Sequence, residues 1–358
     1  MAPHLVDSIG AVQEAVRTST SLLPRGGGTK PALSAASNGA AILDLSGLTG
    51  VLEYDPGEFT FTALAGTKLA EVEAMLAENG QSLPFDPPFV KAGATLGGTV
   101  ASGLSGPGRQ RYGGVRDFIV GVRFIDGKGQ LVRGGGKVVK NAAGFDLPKL
   151  MVGSIGRLGV LVELSFKVFP SPKAYTTLQL AFDKFTDALA ATVRLAKAPF
   201  DLEALELEPP GTLCVRIGGL SEALPPRIKR LETFLERSGE TLAEEAEASF
   251  WETLREFRWV PADRLLVKVP LTPKRLLPLD EQLERAGAER RYSVAGNLAW
   301  VAWPNEVSEF DALLSGLELS GLVLRGPPER LRIGRLMGDR LLRRIKTTLD
   351  PEGRFPAY

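Results

Sequence analysis

The chain has 358 residues, a length that accommodates two domains, each with a core of its own. With 44% hydrophobic residues, 24% charged residues and a formal net charge of +1, it has the composition of an ordinary globular protein, with neither the cation excess of a nucleic-acid binder nor an acidic tail. The single cysteine, Cys214, excludes an internal disulfide framework and a cysteine-rich metal or iron–sulfur site, and the single histidine, His4, lies in a terminal segment expected to fray.

Val6, Ile9, Val12 and Val16 recur near helical spacing and predict a first helix over Leu5–Thr18. No apolar run approaches the ~20 residues of a membrane span. Met1–Ser21 has neither the basic start nor the apolar core of a signal peptide, so a cytoplasmic protein is expected, with any membrane association made through partners. Short strands are expected at Ser21–Leu23 and Ala41–Leu45, bracketing a glycine-rich turn. Pro56-Gly57 then turns the chain into a half-buried strand, where Phe59, Phe61 and Ala63 alternate with Thr60 and Thr62. Leu69, Val72 and Leu76 share a helical face that stops at Asn79-Gly80. Phe118, Val120, Val122 and Phe124 alternate into an Asp126-Gly127 hairpin turn, and Leu158–Val168 repeats the pattern with every even position apolar. Residues 1–170 therefore read as a domain of two α+β lobes, the second dominated by strands.

Pro170 and Pro172 mark a boundary. Beyond them the pattern predicts a strand (Thr177–Phe182), a helix (Thr186–Lys197), two strands (Leu202–Leu207 and Leu213–Ile217) and a helix (Pro226–Ser238). A charged helical stretch (Thr241–Arg258) follows, and then strand, helix and strand through Trp303. This texture over 171–330 resembles a ferredoxin-like split βαβ layer, partly duplicated. Ile333, Leu336, Leu341, Ile345 and Leu349 predict a last amphipathic helix with arginines on its other face, in a segment, 331–358, expected to return toward the first domain. The fold class expected is α+β, a two-lobed domain followed by a smaller α+β domain.

Three glycine clusters carry the functional signal. The first is Pro24-Arg25-Gly26-Gly27-Gly28-Thr29. Successive glycines let neighbouring backbone N–H groups converge on an anion such as a pyrophosphate, although a flexible turn has the same composition. The second is Ala94-Thr95-Leu96-Gly97-Gly98-Thr99-Val100-Ala101, running on to Ser102-Gly103. There Gly97 and Gly98 would let the backbone approach a ligand, and Thr95 and Thr99 offer hydroxyls. The third, Gly153-Ser154-Ile155-Gly156-Arg157-Leu158-Gly159-Val160, has GxxGxxG spacing, unlike the GxGxxG dinucleotide fingerprint, and no segment has a P-loop pattern. Nicotinamide binding on a Rossmann fold and P-loop nucleotide binding are both poorly supported.

In order along the chain, these clusters resemble the FAD-binding domain of the vanillyl-alcohol-oxidase (PCMH-type) flavoproteins. Arg25–Thr29 is similar to that family's first pyrophosphate loop, and Thr95–Ala101 to its TxGGxxA segment. Ala143–Leu147 with Gly153–Val160 is similar to its GYDL…GSxGxLGI/V run. The resemblance covers residues 20–170 and implies FAD as cofactor. It implies that Pro24, Arg25, Gly26, Gly27, Gly28 and Thr29 hold the pyrophosphate. Ala94, Thr95, Leu96, Gly97, Gly98 and Thr99 would lie along pyrophosphate and ribityl chain, Ser102 and Gly103 along the flavin. Gly159 and Val160 would present backbone to the adenine or flavin side. Members that tether FAD covalently use a histidine or cysteine of these loops, which here have neither, so non-covalent FAD is implied.

Within that family, Lys140–Leu150 is similar to the KNVAGYDxxKL segment of the smaller flavin subunits of bacterial glycolate oxidases. That branch implies a complex with a homologous flavin subunit and an iron–sulfur subunit, oxidising the 2-hydroxy acid glycolate to glyoxylate. Its larger catalytic relatives carry an HxGDGNxH segment, and at the corresponding place here Ser293–Trp300 lacks both histidines. Alcohol oxidation by hydride transfer needs a group to take the hydroxyl proton, most often a histidine. Tyr112, Tyr175, Tyr292, a lysine or a carboxylate remain candidates, none singled out, and no metal site is expected. Lys346–Phe355 follows the family's KxxxDPxGxF helix end, but Pro356-Ala357-Tyr358 replaces its NPG tail. A free-standing sugar-acid or aldonolactone oxidoreductase and a non-catalytic FAD-binding companion are the alternative readings.

Overall fold

A computed structural model describes residues 4–36, 39–136 and 145–357. They divide into two compact units, one of residues 1–106, 113–171 and 337–358, the other of residues 107–112 and 172–336.

The first unit contains three sheets among the described residues, one of them just the pair Gln81–Ser82 and Phe169–Pro170. Leu22–Arg25, Ala41–Asp44 and His4–Leu5 form a small parallel sheet with Ala41–Asp44 in the middle. His4 thus lies in a strand rather than a frayed end, its Cα opposite that of Leu43. The expected Leu5–Thr18 helix is shorter, Ile9–Thr18, because Ser8 caps it by accepting a hydrogen bond from the Ala11 N–H at 3.3 Å. The second sheet is antiparallel, in the order Val51–Asp55, Thr60–Leu64, Val160–Lys167, Ile119–Ile125, Leu131–Gly135. The even positions Val160, Val162, Leu164 and Phe166 are all fully buried, as the alternation required. Thr60–Leu64 is an inner strand, not a half-buried one. Thr62 is buried with its hydroxyl 2.8 Å from that of Ser165, while Phe61 stacks on Phe166 with ring centroids 5.7 Å apart. Its edge neighbour Val51–Asp55 escaped the pattern because its residues are mostly exposed and show no apolar alternation.

The chain end returns to this unit. The helix Asp339–Leu349 stops at Asp350, whose buried carboxylate accepts from the Arg354 and Phe355 N–H groups at 2.9 Å and from Lys346. That knot places Phe355 in the core with Val12, Val16, Ile125 and Val160. Ile333, expected in the same helix, lies instead in the strand Arg332–Gly334.

The second unit is built on one nine-stranded antiparallel sheet. Ala174–Ala181, Ala204–Glu208, Thr212–Gly219 and Glu240–Ala243 alternate with the helices Phe185–Lys197 and Leu224–Leu235. Leu265–Pro270, Glu289–Ser293, Leu298–Trp303 and Ser320–Arg325 alternate in the same way with Pro273–Arg285 and Val307–Gly316. Each half is a complete β-α-β-β-α-β unit with its strands in the order 4-1-3-2, and the halves join where Leu207 pairs with Tyr292. The duplication is full, not partial. Thr241–Arg258 is accordingly not one helix. Glu240–Ala243 pairs with Ala174–Ala181 as the fourth strand of its half, and the helix is Glu244–Arg255.

Gly97, early in the helix Leu96–Ser102, donates its N–H to Ala65 O at 2.8 Å, and Ala65 N–H donates to Val162 O at 3.0 Å. A Cβ on Gly97 would lie 2.8 Å from Ala65 Cβ and 2.9 Å from Ala65 O. The residue is a packing requirement of helix on sheet. Gly97→Val should therefore destabilise the ligand-free protein by roughly 1–3 kcal/mol through overpacking, read as a lowered thermal midpoint. A midpoint equal to that of the wild type would contradict this packing.

Candidate functional site

Arg25 ends its strand by donating to Asp44 Oδ2 at 2.8 Å. Burial pushes the Asp44 carboxyl up, but hydrogen bonds from Arg25 and Ser46 outweigh it and hold the group below its ordinary value. The pair anchors the start of the loop that follows. In that loop Gly28 takes φ +66°, a left-handed turn. Among the described residues, no acceptor meets the backbone N–H groups of Gly26, Gly27, Gly28 or Thr29. Four consecutive unsatisfied donors on one short loop form a nest suited to an anion.

The three glycine clusters lie directly against one another. A Cβ on Gly26 would fall 2.2 Å from Thr95 Oγ1, and one on Gly27 2.0 Å from Gly93 O. On the other side Gly156 approaches Pro24, where a Cβ would be 3.2 Å from Pro24 Cδ. Arg157 holds this third cluster by donating to its own loop at Ile155 O (3.2 Å) and to Ala357 O (2.7 Å). Ala357, in the replaced tail, thus lies beside the third cluster.

The clusters enclose a groove. Pro24, Arg25, Gly26, Gly27, Gly28 and Thr29 line it, with Thr95, Gly97, Gly98, Ser102 and Gly159. Ala94, Leu96, Thr99, Gly103 and Val160 do not. Ala94 O accepts the Leu69 N–H, Leu96 and Val160 point into the core, and Thr99 is buried in the helix. Gly103, at φ +64°, ends that helix by packing against Gly153. The helix begins with its donors in use: Leu96 N–H meets Thr67 O at 2.9 Å, Gly97 meets Ala65 O, and Gly98 meets Thr95 Oγ1 at 3.2 Å. Of these two segments, the first loop is the one whose donors are free. Lys30, Ala65, Ala101, Ile155, Gly156 and Leu161 also line the groove and were not singled out. Gly156 lay within a recognised cluster, whereas Ala65 and Leu161 look like any strand residue and are brought in only by the fold.

The candidate proton acceptors fare differently. Burial and the neighbouring Asp280 charge push the Tyr292 phenol far up, and its hydroxyl donates to Asp280 Oδ1 at 2.6 Å. Burial first, then the charge of Glu203, pushes Tyr112 up to about 12, with its hydroxyl 3.3 Å from Glu203 Oε1. Neither phenol accepts a proton near neutral pH. Tyr175 lies under the Arg216 guanidinium, 4.0 Å from the ring centroid. Ser293 is buried and donates to Glu206 Oε1. Cys214 is buried, and burial pushes its thiol up to about 12. Residues 140–144 of the Lys140–Leu150 motif lie outside the described residues; Asp146 caps the helix Leu147–Met151, accepting from the Lys149 N–H at 3.2 Å.

Comparison with known proteins agrees with this geometry. Residues 4–135 match the family model described as "FAD binding domain". The chain is 37% identical to the glycolate oxidase subunit GlcE of Escherichia coli over 288 residues, 78% of this chain and 77% of that protein. It is 33% identical to the glycolate oxidase subunit GlcD of Bacillus subtilis over 48% of this chain and 36% of that one. It is 28% identical to a D-2-hydroxyglutarate dehydrogenase of Stutzerimonas stutzeri over 84% and 64%. A solved structure of alkyldihydroxyacetonephosphate synthase shares the fold, with a TM-score of 0.71 at 18% identity, over 98% of this chain and 74% of that one. The chain belongs to the PCMH-type FAD-binding family, in which it stands with the glycolate oxidase subunit GlcE, and its cofactor is FAD.

Proposed function

We propose that this chain is the FAD-binding subunit of a complex that oxidises glycolate, or a similar small 2-hydroxy acid, to the 2-oxo acid. A homologous flavin subunit and an iron–sulfur subunit that carries the electrons away would complete the complex. The observation that carries the reading is the extent of the likeness to GlcE, an alignment longer than either compact unit. Among the described residues no helix is long and apolar enough to cross a membrane. A cytoplasmic location, with any membrane contact made through partners, is part of the proposal.

The groove fits a flavin dinucleotide. The donors of Gly26–Thr29 would hold the diphosphate, and a wall of Ala65, Gly98, Ala101 and Gly159 leaves room for flat rings where larger side chains would not. When bound, FAD supplies a two-electron acceptor for the hydride of a CH–OH carbon. What the chain itself contributes is the site, its orientation and the exclusion of water. The hydroxyl proton needs a separate acceptor, and the two phenols pushed up by burial cannot serve. This favours a role in which the chain works within an assembly rather than alone, the companion role being its extreme form.

Three outcomes are expected. Acid or denaturant should release all flavin from the purified protein, because the one cysteine is a buried, protonated thiol and the one histidine lies in an edge strand. Protein-attached flavin in the mass spectrum of the denatured chain would contradict this. Gly98→Val should weaken FAD at least about tenfold while leaving the ligand-free melting midpoint close to that of the wild type, since the single group within 4 Å of a Cβ there is Thr95 Oγ1, at 3.1 Å. An unchanged affinity would remove Gly98 from the site. Mixed anaerobically with glycolate or D-lactate, the isolated chain should bleach its flavin slowly, short of the assembled complex by the roughly 10²–10⁴-fold that a general base contributes. Rapid bleaching by the chain alone would establish a self-sufficient oxidoreductase instead.

A further inference from the structure

The segment Asp350–Ala357 is bonded to two of the three elements that line the groove. Arg354 O accepts the Leu22 N–H at 2.7 Å, at the start of the strand Leu22–Arg25, whose last two residues enter the groove. Three residues on, Ala357 O accepts from Arg157 Nε at 2.7 Å, in the third glycine cluster, where Ile155, Gly156 and Gly159 line the same groove. The segment itself is fixed. The buried Asp350 carboxylate accepts the Arg354 and Phe355 N–H groups, Lys346 donates to Phe355 O at 2.9 Å, and the Phe355 ring lies in the core. Arg157 is 6% exposed, and its fork also reaches Ile155 O at 3.2 Å. A guanidinium stays charged and carries its donors in one plane, so it joins two carbonyls at a fixed spacing.

Resting on the FAD reading above, we propose that Arg157 is a positioning residue for the cofactor: by tying the third glycine cluster to the segment Asp350–Ala357, it fixes that cluster against the Pro24–Thr29 loop at the spacing FAD requires. At its start the third cluster is bonded to the helix Leu96–Ser102, with Gly153 N–H donating to Val100 O at 2.9 Å and Ile155 N–H to Ala101 O at 2.8 Å. Beyond Ile155 come Gly156 at φ +67° and Gly159 at φ +157°, residues with the widest choice of backbone conformations. The fork of Arg157, between them, restricts that choice. Neither Arg157 nor Ala357 lines the groove, so the effect on the cofactor is exerted through the loop. With the loop held in advance, less ordering remains for the binding step, which favours affinity.

The test measures FAD affinity by the fluorescence of FAD, and residue-resolved amide exchange of the ligand-free protein. It compares the wild type with Arg157→Met, with a chain lacking Pro356–Tyr358, and with the two changes combined. Arg157→Gln serves if the methionine variant does not fold. The deletion removes the acceptor of Arg157 but keeps the Asp350 knot and Phe355. Each change should weaken FAD about tenfold and speed exchange at Ile155 and position 157, while Leu22 stays as protected as in the wild type. The melting midpoint of the shortened chain should stay close to that of the wild type. The combination should bind FAD no more weakly than the arginine variant alone, because both changes break one link. Wild-type affinity in either single variant would overturn the assignment. So would additive losses, or faster exchange at Leu22, since those outcomes mark general support of the fold. A wild-type protein that did not bind FAD would overturn the FAD reading itself, whereas exchange at Ile155 in the ligand-free variants would still report the tie.

Discussion

Direct contact of backbone on backbone among the glycine loops is the constraint on which the site depends. Gly26 and Gly27 have no room for a Cβ, because Thr95 and Gly93 O occupy the places where one would stand. With that contact made, the N–H groups of Gly26–Thr29 meet no acceptor among the described residues, on a loop that lines the groove. Donors without a protein acceptor are available to an anion.

The second unit follows a different logic. Its two β-α-β-β-α-β halves form a continuous sheet from a single pairing at Leu207 and Tyr292. It carries no histidine, and two of its three phenols, those of Tyr112 and Tyr292, are committed to carboxylates. Tyr292 is tied to Asp280, which Arg290 also holds through two hydrogen bonds of 2.7 and 3.0 Å. Tyr112 is tied to Glu203, which Arg111 approaches to 3.4 Å. These are structural uses of polar groups.

Much of this was legible in the chain itself. The even positions of Val160–Phe166 and the spacing of Leu69, Val72 and Leu76 read correctly because one face of each element is fully buried. Periodicity failed where burial is two-sided, as at Thr60–Leu64, or absent, as at Val51–Asp55. It failed again at Thr241, where a charged segment suggested helix but the sheet needed a fourth strand, and at Ile333, whose strand depends on pairing with Gly321. In the site, glycine motifs marked the loops but not the reason for each glycine. Gly97 looked like a ligand contact and is chiefly a helix–sheet contact. Lys30, Ala101 and Leu161 belong to the groove only because three distant segments converge, and no local pattern reports such convergence.

We propose that the free N–H groups of Gly26–Thr29 receive the diphosphate of FAD, while the donors opening the Leu96–Ser102 helix are already satisfied by protein. Residue-resolved amide hydrogen exchange with and without saturating FAD tests it most directly. Exchange should be fast at Gly26–Thr29 in the apo-protein and markedly slowed by FAD, with Leu96 and Gly97 protected in both states. Unchanged exchange at Gly26–Thr29 under saturating FAD would contradict the account.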